Sequence, residues 1–214
     1  MAAAAGNAPG GGAGGLVVGL AGGSASGKTT FVSTLAPILE KGPPPLRVEI
    51  LSMDRYFYRG AENGPTFVSP STGEIRPDNN HPDSADNARL CADLDARRSA
   101  PDAPDVLIVE GLMALHVPAV RERLDLRLFL ELDADERALR RLLRDTGAGP
   151  RGGGDPQFVA TYYRECARVG HARYVEPSRV HADLILRGDA DFGRIAPLVA
   201  AVIRDRAGRE GAPR

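Results

Sequence analysis

The chain has 214 residues, 43% of them apolar and 26% charged, a composition that supports a compact core and excludes a disordered or fibrous chain. Its 27 basic and 28 acidic residues leave a net charge of -1, so no chain-wide electrostatic footprint invites nucleic acid or an anionic membrane. Two cysteines, Cys91 and Cys166, are too few for a disulfide framework and point to a reducing, cytoplasmic setting; no apolar run approaches the roughly 20 residues that span a bilayer.

Residues 1–14 form an Ala/Gly/Pro tail that reads as flexible, without the basic n-region and apolar h-region of a signal peptide. Strands are predicted at 16–20, 47–51, 106–109, 126–130 and 182–186, several as continuous apolar runs, and helices at 28–40, 84–97, 134–145, 156–169 and 192–206. Strands separated by helices indicate crossover units and an α/β fold whose parallel sheet is covered on both faces. Two stretches, 60–82 and 146–155, are rich in turn-forming residues and predict no regular structure; loops of that length tend to be binding loops or lids. The end, 208–214, reads as frayed. In the helix at 134–145, Asp133 and Glu136 have the spacing of a capping box, and Leu139, Leu142 and Leu143 form the apolar stripe expected to face the core.

Gly22-Gly23-Ser24-Ala25-Ser26-Gly27-Lys28-Thr29 fits G-x-x-x-x-G-K-[ST], follows a predicted strand and opens a predicted helix. Glycines let main-chain N–H groups converge on a phosphate, and the helix N-terminus adds partial positive charge. Lys28, one of only two lysines beside Lys41, supplies a mobile point charge to the β/γ-phosphates, and the Thr29 hydroxyl suits Mg²⁺. This is a nucleoside-triphosphate site; ATP is the first reading and GTP stays open.

Acids then separate possible chemistries. Glu110 ends the strand at 106–109, where a carboxylate reaches Mg²⁺ directly or through water, and Asp54 follows the strand at 47–51, placed to accept a proton from an attacking hydroxyl. Asp83, in His81-Pro82-Asp83, contacts an acceptor or, with Ser84, simply caps the next helix. Arg137, Arg141 and Arg144 recur at helical spacing on one face, either closing over a transferring phosphate or forming a solvated basic surface.

Taken in order, residues 22–30, LSMDRYFY (51–58), His81-Pro82-Asp83, IVEGLMAL (108–115), 130–145 and 176–188 resemble the uridine kinase and phosphoribulokinase family of P-loop kinases. The resemblance implies a P-loop NTPase fold with a doubly wound five-stranded parallel sheet over 15–207 and a small Arg-rich lid at about 137–158. It implies transfer of the γ-phosphoryl group of ATP, with Mg²⁺, to a hydroxyl of a small molecule, a nucleoside 5'-hydroxyl first. By motif, Gly22 to Thr30 (Thr30 included) would hold ATP, Thr29 and Glu110 the metal, and Asp54 would be the base. Lys28, Arg141 and Arg144 would act on the phosphoryl group, with His81, Asp83 and Arg151 on the acceptor.

The family's pyrimidine-gripping hairpin, between the helix after His-Pro-Asp and the glutamate-bearing strand, has no counterpart in the eight residues 98–105; length has moved upstream instead. There Tyr56, Phe57, Tyr58 and Phe67 cluster, either a stacking wall for an acceptor or core filler. Other acceptors therefore stay open: nicotinamide riboside, a pentose phosphate, pantothenate or a specialised nucleoside. So does a nucleotide-dependent regulatory ATPase, although no N-K-x-D motif is present. The acceptor is the one partner expected, with self-association left open.

Overall fold

The computed structural model describes residues 15–59 and 63–210. The predicted tail 1–14 and residues 211–214 of the predicted frayed end lie outside them. The strands are β1 (Leu16–Gly22), β2 (Val48–Ser52), β3 (Thr66–Val68), β4 (Ile75–Pro77), β5 (Val106–Glu110), β6 (Leu126–Glu131) and β7 (Leu184–Arg187). Five of them form one parallel sheet in the order β2-β5-β1-β6-β7.

All seven residues of β1 are buried, and their alternation divides the interior. Val17 and Ala21 join Leu107 and Val109 on one face, whereas Leu16, Val18 and Leu20 join Val106 and Ile108 on the other. A parallel sheet buried on both sides requires helices on both. Helix α1 (Lys28–Lys41) and the C-terminal helix Phe192–Glu210 cover the second face through Phe31, Leu35, Leu39 and Ile203. Helices α2 (Asn87–Ser99) and α3 (Pro118–Arg121) cover the first through Leu90, Leu94 and Val120. Each such buried side chain contributes about 1.5–3 kcal/mol. The chain runs from β1 to β2 on one side and crosses from β5 past β1 to β6 on the other, so a crevice opens at the carboxyl end of β1, where ligands of open α/β sheets gather.

Several expectations need correction. Within 60–82, β3 and β4 pair antiparallel, with Phe67 opposite Arg76. Strands this short, closed by a turn in which Gly73 takes φ 72°, leave no periodic signal. Helix α2 starts at Asn87, not 84: the Arg89 N–H donates to Asp86 Oδ1 at 2.9 Å, so Asp86 is the cap and neither Asp83 nor Ser84 is. Helix α4 (Ala134–Thr146) starts after Asp133, but no side chain caps it, because Glu136 instead accepts from Arg140 Nε at 2.7 Å.

The expected facing of α4 is reversed. Leu139 and Leu143 are 58% and 71% exposed, whereas Arg137 is 4% exposed. Its arginines turn inward instead, to Leu132 O and Gly188 O, to Asp145 of the same helix and to Ser24 of the loop after β1. The helix predicted at 156–169 continues far past its expected end. It passes through α5 (Pro156–Tyr162), a π-helical turn at Tyr163–Ala167, α6 (Arg168–Gly170), a second π turn at His171–Val175 and a 3-10 segment at Glu176–His181. The C-terminal helix, α7 (Phe192–Glu210), likewise outruns its predicted limit at 206.

Candidate active site

The loop after β1 wraps from Gly22 to Gly27 and hands the chain to α1. Gly22 has φ 149° and Gly27 φ 101°, a conformation that glycine adopts without the Cβ penalty; Ala25, at φ 62°, adopts it despite its methyl group. The main chain closes on itself as Ser26 N–H donates to Gly23 O at 3.1 Å. Lys28 folds back so that Nζ donates to Gly22 O at 3.0 Å and Gly23 O at 2.9 Å. Burial pulls its pKa down to about 8, against the opposing pull of Glu110 and Asp54. Ser26 Oγ is buried without a hydrogen-bond partner.

Glu110 ends β5 with 6% exposure. Its Oε1 accepts from Ser52 Oγ at 2.9 Å and from Thr29 Oγ1 at 3.4 Å. Three adjacent elements thereby bring oxygens to one point, the donor type that a hard divalent cation takes. Asp54 stands in a 3-10 turn at Met53–Tyr56, its carboxylate 44% exposed, and Arg151 Nη2 donates to its Oδ2 at 3.2 Å.

Above the loop, α4 presents its arginines. Arg137 Nε donates to Leu132 O at 2.9 Å, and its side chain lies so close to Gly23 that a Cβ there would meet Nη1 at 2.7 Å. Arg140 Nη1 donates to Gly188 O at 2.9 Å. Asp145 holds both Arg141 (3.3 Å) and Arg144 (2.7 Å), while Arg141 Nη1 donates to Ser24 Oγ at 3.4 Å. These groups surround a cleft of about 680 Å³. Its lining includes five cationic side chains, Lys28, Arg140, Arg141, Arg144 and Arg151, against two carboxylates, Asp54 and Glu110, a surplus that favours an anionic ligand.

Of the candidates, Ser24, Ala25, Gly27, Lys28, Thr29, Thr30, Asp54, Glu110, Arg141, Arg144 and Arg151 line this cleft together. Gly22, Gly23 and Ser26 belong to the loop without lining the cleft, and five further candidates stand away from it. Tyr56 is 7% exposed, and its hydroxyl donates to Asp93 Oδ2 at 2.7 Å; burial and this bond push its pKa up to about 12. Tyr58 is 41% exposed outside the cleft, and Phe67 packs edge-on against Tyr162 at 5.7 Å. His81 lies against Tyr174 at 5.2 Å, its Nδ1 accepting from the Asp83 N–H at 3.1 Å, while the Asp83 carboxylate is 82% exposed. The 3-10 turn turns Tyr56 inward and leaves its neighbour Phe57 as the aromatic lining the cleft among the described residues. Of the aromatic cluster read as a stacking wall or core filler, Phe57 is the member on the cleft, whereas Asn79, Asn80, Leu112 and Arg140 were missed as lining residues, as was Ser52 behind Glu110. Ser52 carried a signal through its nearness to Asp54.

Residues 74–190 match the model of the phosphoribulokinase / uridine kinase family. The uridine kinase of Staphylococcus epidermidis is 33% identical over 183 residues, covering 75% of this chain and 81% of that protein. The chain belongs to the phosphoribulokinase/uridine kinase family. Uridine kinases of Clostridium botulinum are 40% identical over 82 residues, and the match covers 38% of this chain and 38% of theirs. A candidate fructose transport system kinase from Silicibacter shares the fold at a TM-score of 0.58 and 23% identity, over 80% of this chain and 89% of that one. The sheet, flanking helices and phosphate loop are thus those of a P-loop kinase of this family. No described helix is long and apolar enough to cross a membrane.

Proposed function

We propose that this chain is a phosphotransferase that moves the γ-phosphoryl group of ATP to a hydroxyl of a small molecule, a nucleoside 5'-hydroxyl being the first acceptor to test. One observation carries the reading: Asp54 opens onto the same cleft as Lys28 and Thr29, yet is held by nothing stronger than an exposed pair with Arg151. A carboxylate so placed accepts the acceptor's proton while its oxygen attacks phosphorus.

The main-chain amides of 22–27 and the α1 N-terminus hold the β- and γ-phosphates, and Lys28 exchanges its carbonyl partners for phosphate oxygens. Arg141 and Arg144, aimed by Asp145, offset the charge on the transferring group. Helix α4 and the loop 147–155, which carries Arg151, act as the lid. Thr29 and Glu110 would hold Mg²⁺, which would offset the negative charge of the phosphates. Arg151 must leave Asp54 before the base can work, and an arriving acceptor offers it new oxygen partners.

A second acceptor class, a polyhydroxylated compound without an aromatic base, is favoured by a single finding. Among the described residues the acceptor end of the cleft carries Asn79, Asn80 and Arg151 with Phe57 as its aromatic, while Tyr56, Tyr58 and Phe67 face elsewhere. ADP release measured with ATP·Mg²⁺ over a panel of nucleosides, sugars and vitamin alcohols tests the proposal. Turnover dependent on one hydroxyl compound supports it. ADP release indifferent to every acceptor refutes it in favour of an ATPase.

A further inference from the structure

Tyr162 ends α5 at the start of the π-helical turn Tyr163–Ala167 and is 8% exposed. Its hydroxyl accepts from the Asn79 N–H at 3.2 Å and from Asn80 Nδ2 at 3.5 Å, and donates to Pro77 O at 3.1 Å. One face of its ring carries the Arg141 guanidinium, 5.3 Å from the centroid. The ring also meets Phe67 of β3 at 5.7 Å and Phe158 at 6.1 Å. A single side chain therefore touches both walls of the cleft: the arginine wall above the phosphate loop, and Asn79 and Asn80 on the acceptor side.

The surroundings reinforce this link. Cys166, four residues on and inside the π turn, donates its thiol to Asp78 Oδ1 at 3.1 Å and accepts from Asn80 Nδ2 at 3.3 Å. Glu165 accepts from Ser69 Oγ at 2.6 Å and from the Ser71 N–H at 3.2 Å, tying the hairpin turn to the same helix. Turns of π-helix are rare and concentrate at functional sites, and this one directs Tyr162 and Cys166 together at residues 77–80. Unlike Asn80, whose amide is bonded within the network, Asn79 is exposed in the cleft with its main-chain N–H on Tyr162.

We propose that Tyr162 is a positioning residue that couples the two substrates: Arg141, drawn onto nucleotide phosphate, sets the ring, and the ring sets the segment 77–80 that receives the acceptor. The inference rests on the proposed kinase reading, because Arg141 must bind phosphate for the coupling to begin. Hydrogen bonds from main chain to a buried hydroxyl transmit such a shift because losing them leaves an amide and a carbonyl unpaired.

The test compares the full chain with its Tyr162→Phe and Tyr162→Leu variants, adding a non-hydrolysable ATP analogue with Mg²⁺ and reading amide hydrogen exchange. In the unaltered chain the analogue slows exchange in a peptide spanning 76–81 by about fivefold or more, in addition to protecting the phosphate loop. Tyr162→Phe keeps the ring under Arg141, so the analogue's Kd and the loop's protection stay unchanged while the response at 76–81 is lost. Tyr162→Leu removes the ring as well and weakens analogue binding. Once an acceptor is known, Tyr162→Phe raises its KM several-fold with little change in the KM for ATP. An equal response at 76–81 in the unaltered chain and in Tyr162→Phe overturns the inference, as does a response absent from the unaltered chain despite tight analogue binding. No binding of the analogue to the unaltered chain overturns the kinase reading itself.

Discussion

Asp54→Asn is the sharpest test of the proposed chemistry. The substitution preserves volume and one acceptor oxygen but removes the ability to take up a proton. Its structural cost is small, because the carboxylate is 44% exposed and its partner Arg151 is 56% exposed at 3.2 Å. An ion pair of that exposure contributes about 0–1 kcal/mol. The melting temperature should therefore shift by no more than a few degrees. Loss of a general base costs about 10²–10⁴ in turnover, equivalent to roughly 2.7–5.4 kcal/mol in the barrier. The two magnitudes separate cleanly, so a collapse of turnover in a protein that melts normally cannot be attributed to unfolding. Nucleotide affinity should change little, since Asp54 reaches the phosphate loop only by raising the Lys28 pKa across space. The assay is coupled ADP release at saturating acceptor, with nucleotide binding by calorimetry and melting by differential scanning. Unimpaired turnover would remove Asp54 from the chemistry, and a melting loss matching the activity loss would make it structural.

Three further outcomes follow from the same geometry. Lys28, its pKa lowered to about 8 by burial, loses its charge as pH rises through that value in the free protein, so kcat/KM for ATP should fall about tenfold per pH unit above it; a flat profile to pH 10 would mean that Lys28 does not hold phosphate. Glu110→Gln keeps an acceptor for Ser52 and Thr29 but removes the negative charge, and should raise the Mg²⁺ concentration for half-maximal activity about tenfold or more, by titration of the metal, with the same melting temperature. Because Leu139 and Leu143 are solvent-facing, changing both to Gln should alter unfolding free energy by less than about 0.5 kcal/mol each in urea titrations. A loss of about 2 kcal/mol or more per site would restore the buried-stripe reading.

The phosphate loop was legible in the chain alone because everything it needs is contiguous: a strand, glycines where φ turns positive, and a lysine at the first turn of a helix. The parallel sheet was legible for a related reason, since continuous apolar strands separated by helices have few ways to bury both faces. Asp54 and Glu110 were readable from their place just past strand ends. Facing was not. The stripe of Leu139, Leu142 and Leu143 looks like a core-facing edge, yet Leu139 and Leu143 are exposed while Arg137 is buried; amphipathicity identifies two faces without saying what each will meet. The same holds for Tyr56, buried in the core, and its neighbour Phe57, which lines the cleft, and for Tyr162, whose partners Asn79, Asn80 and Arg141 lie between 21 and 83 residues away in sequence. Local backbone geometry is written in neighbouring residues; which side chains converge on one cleft depends on long-range packing that only the folded chain decides.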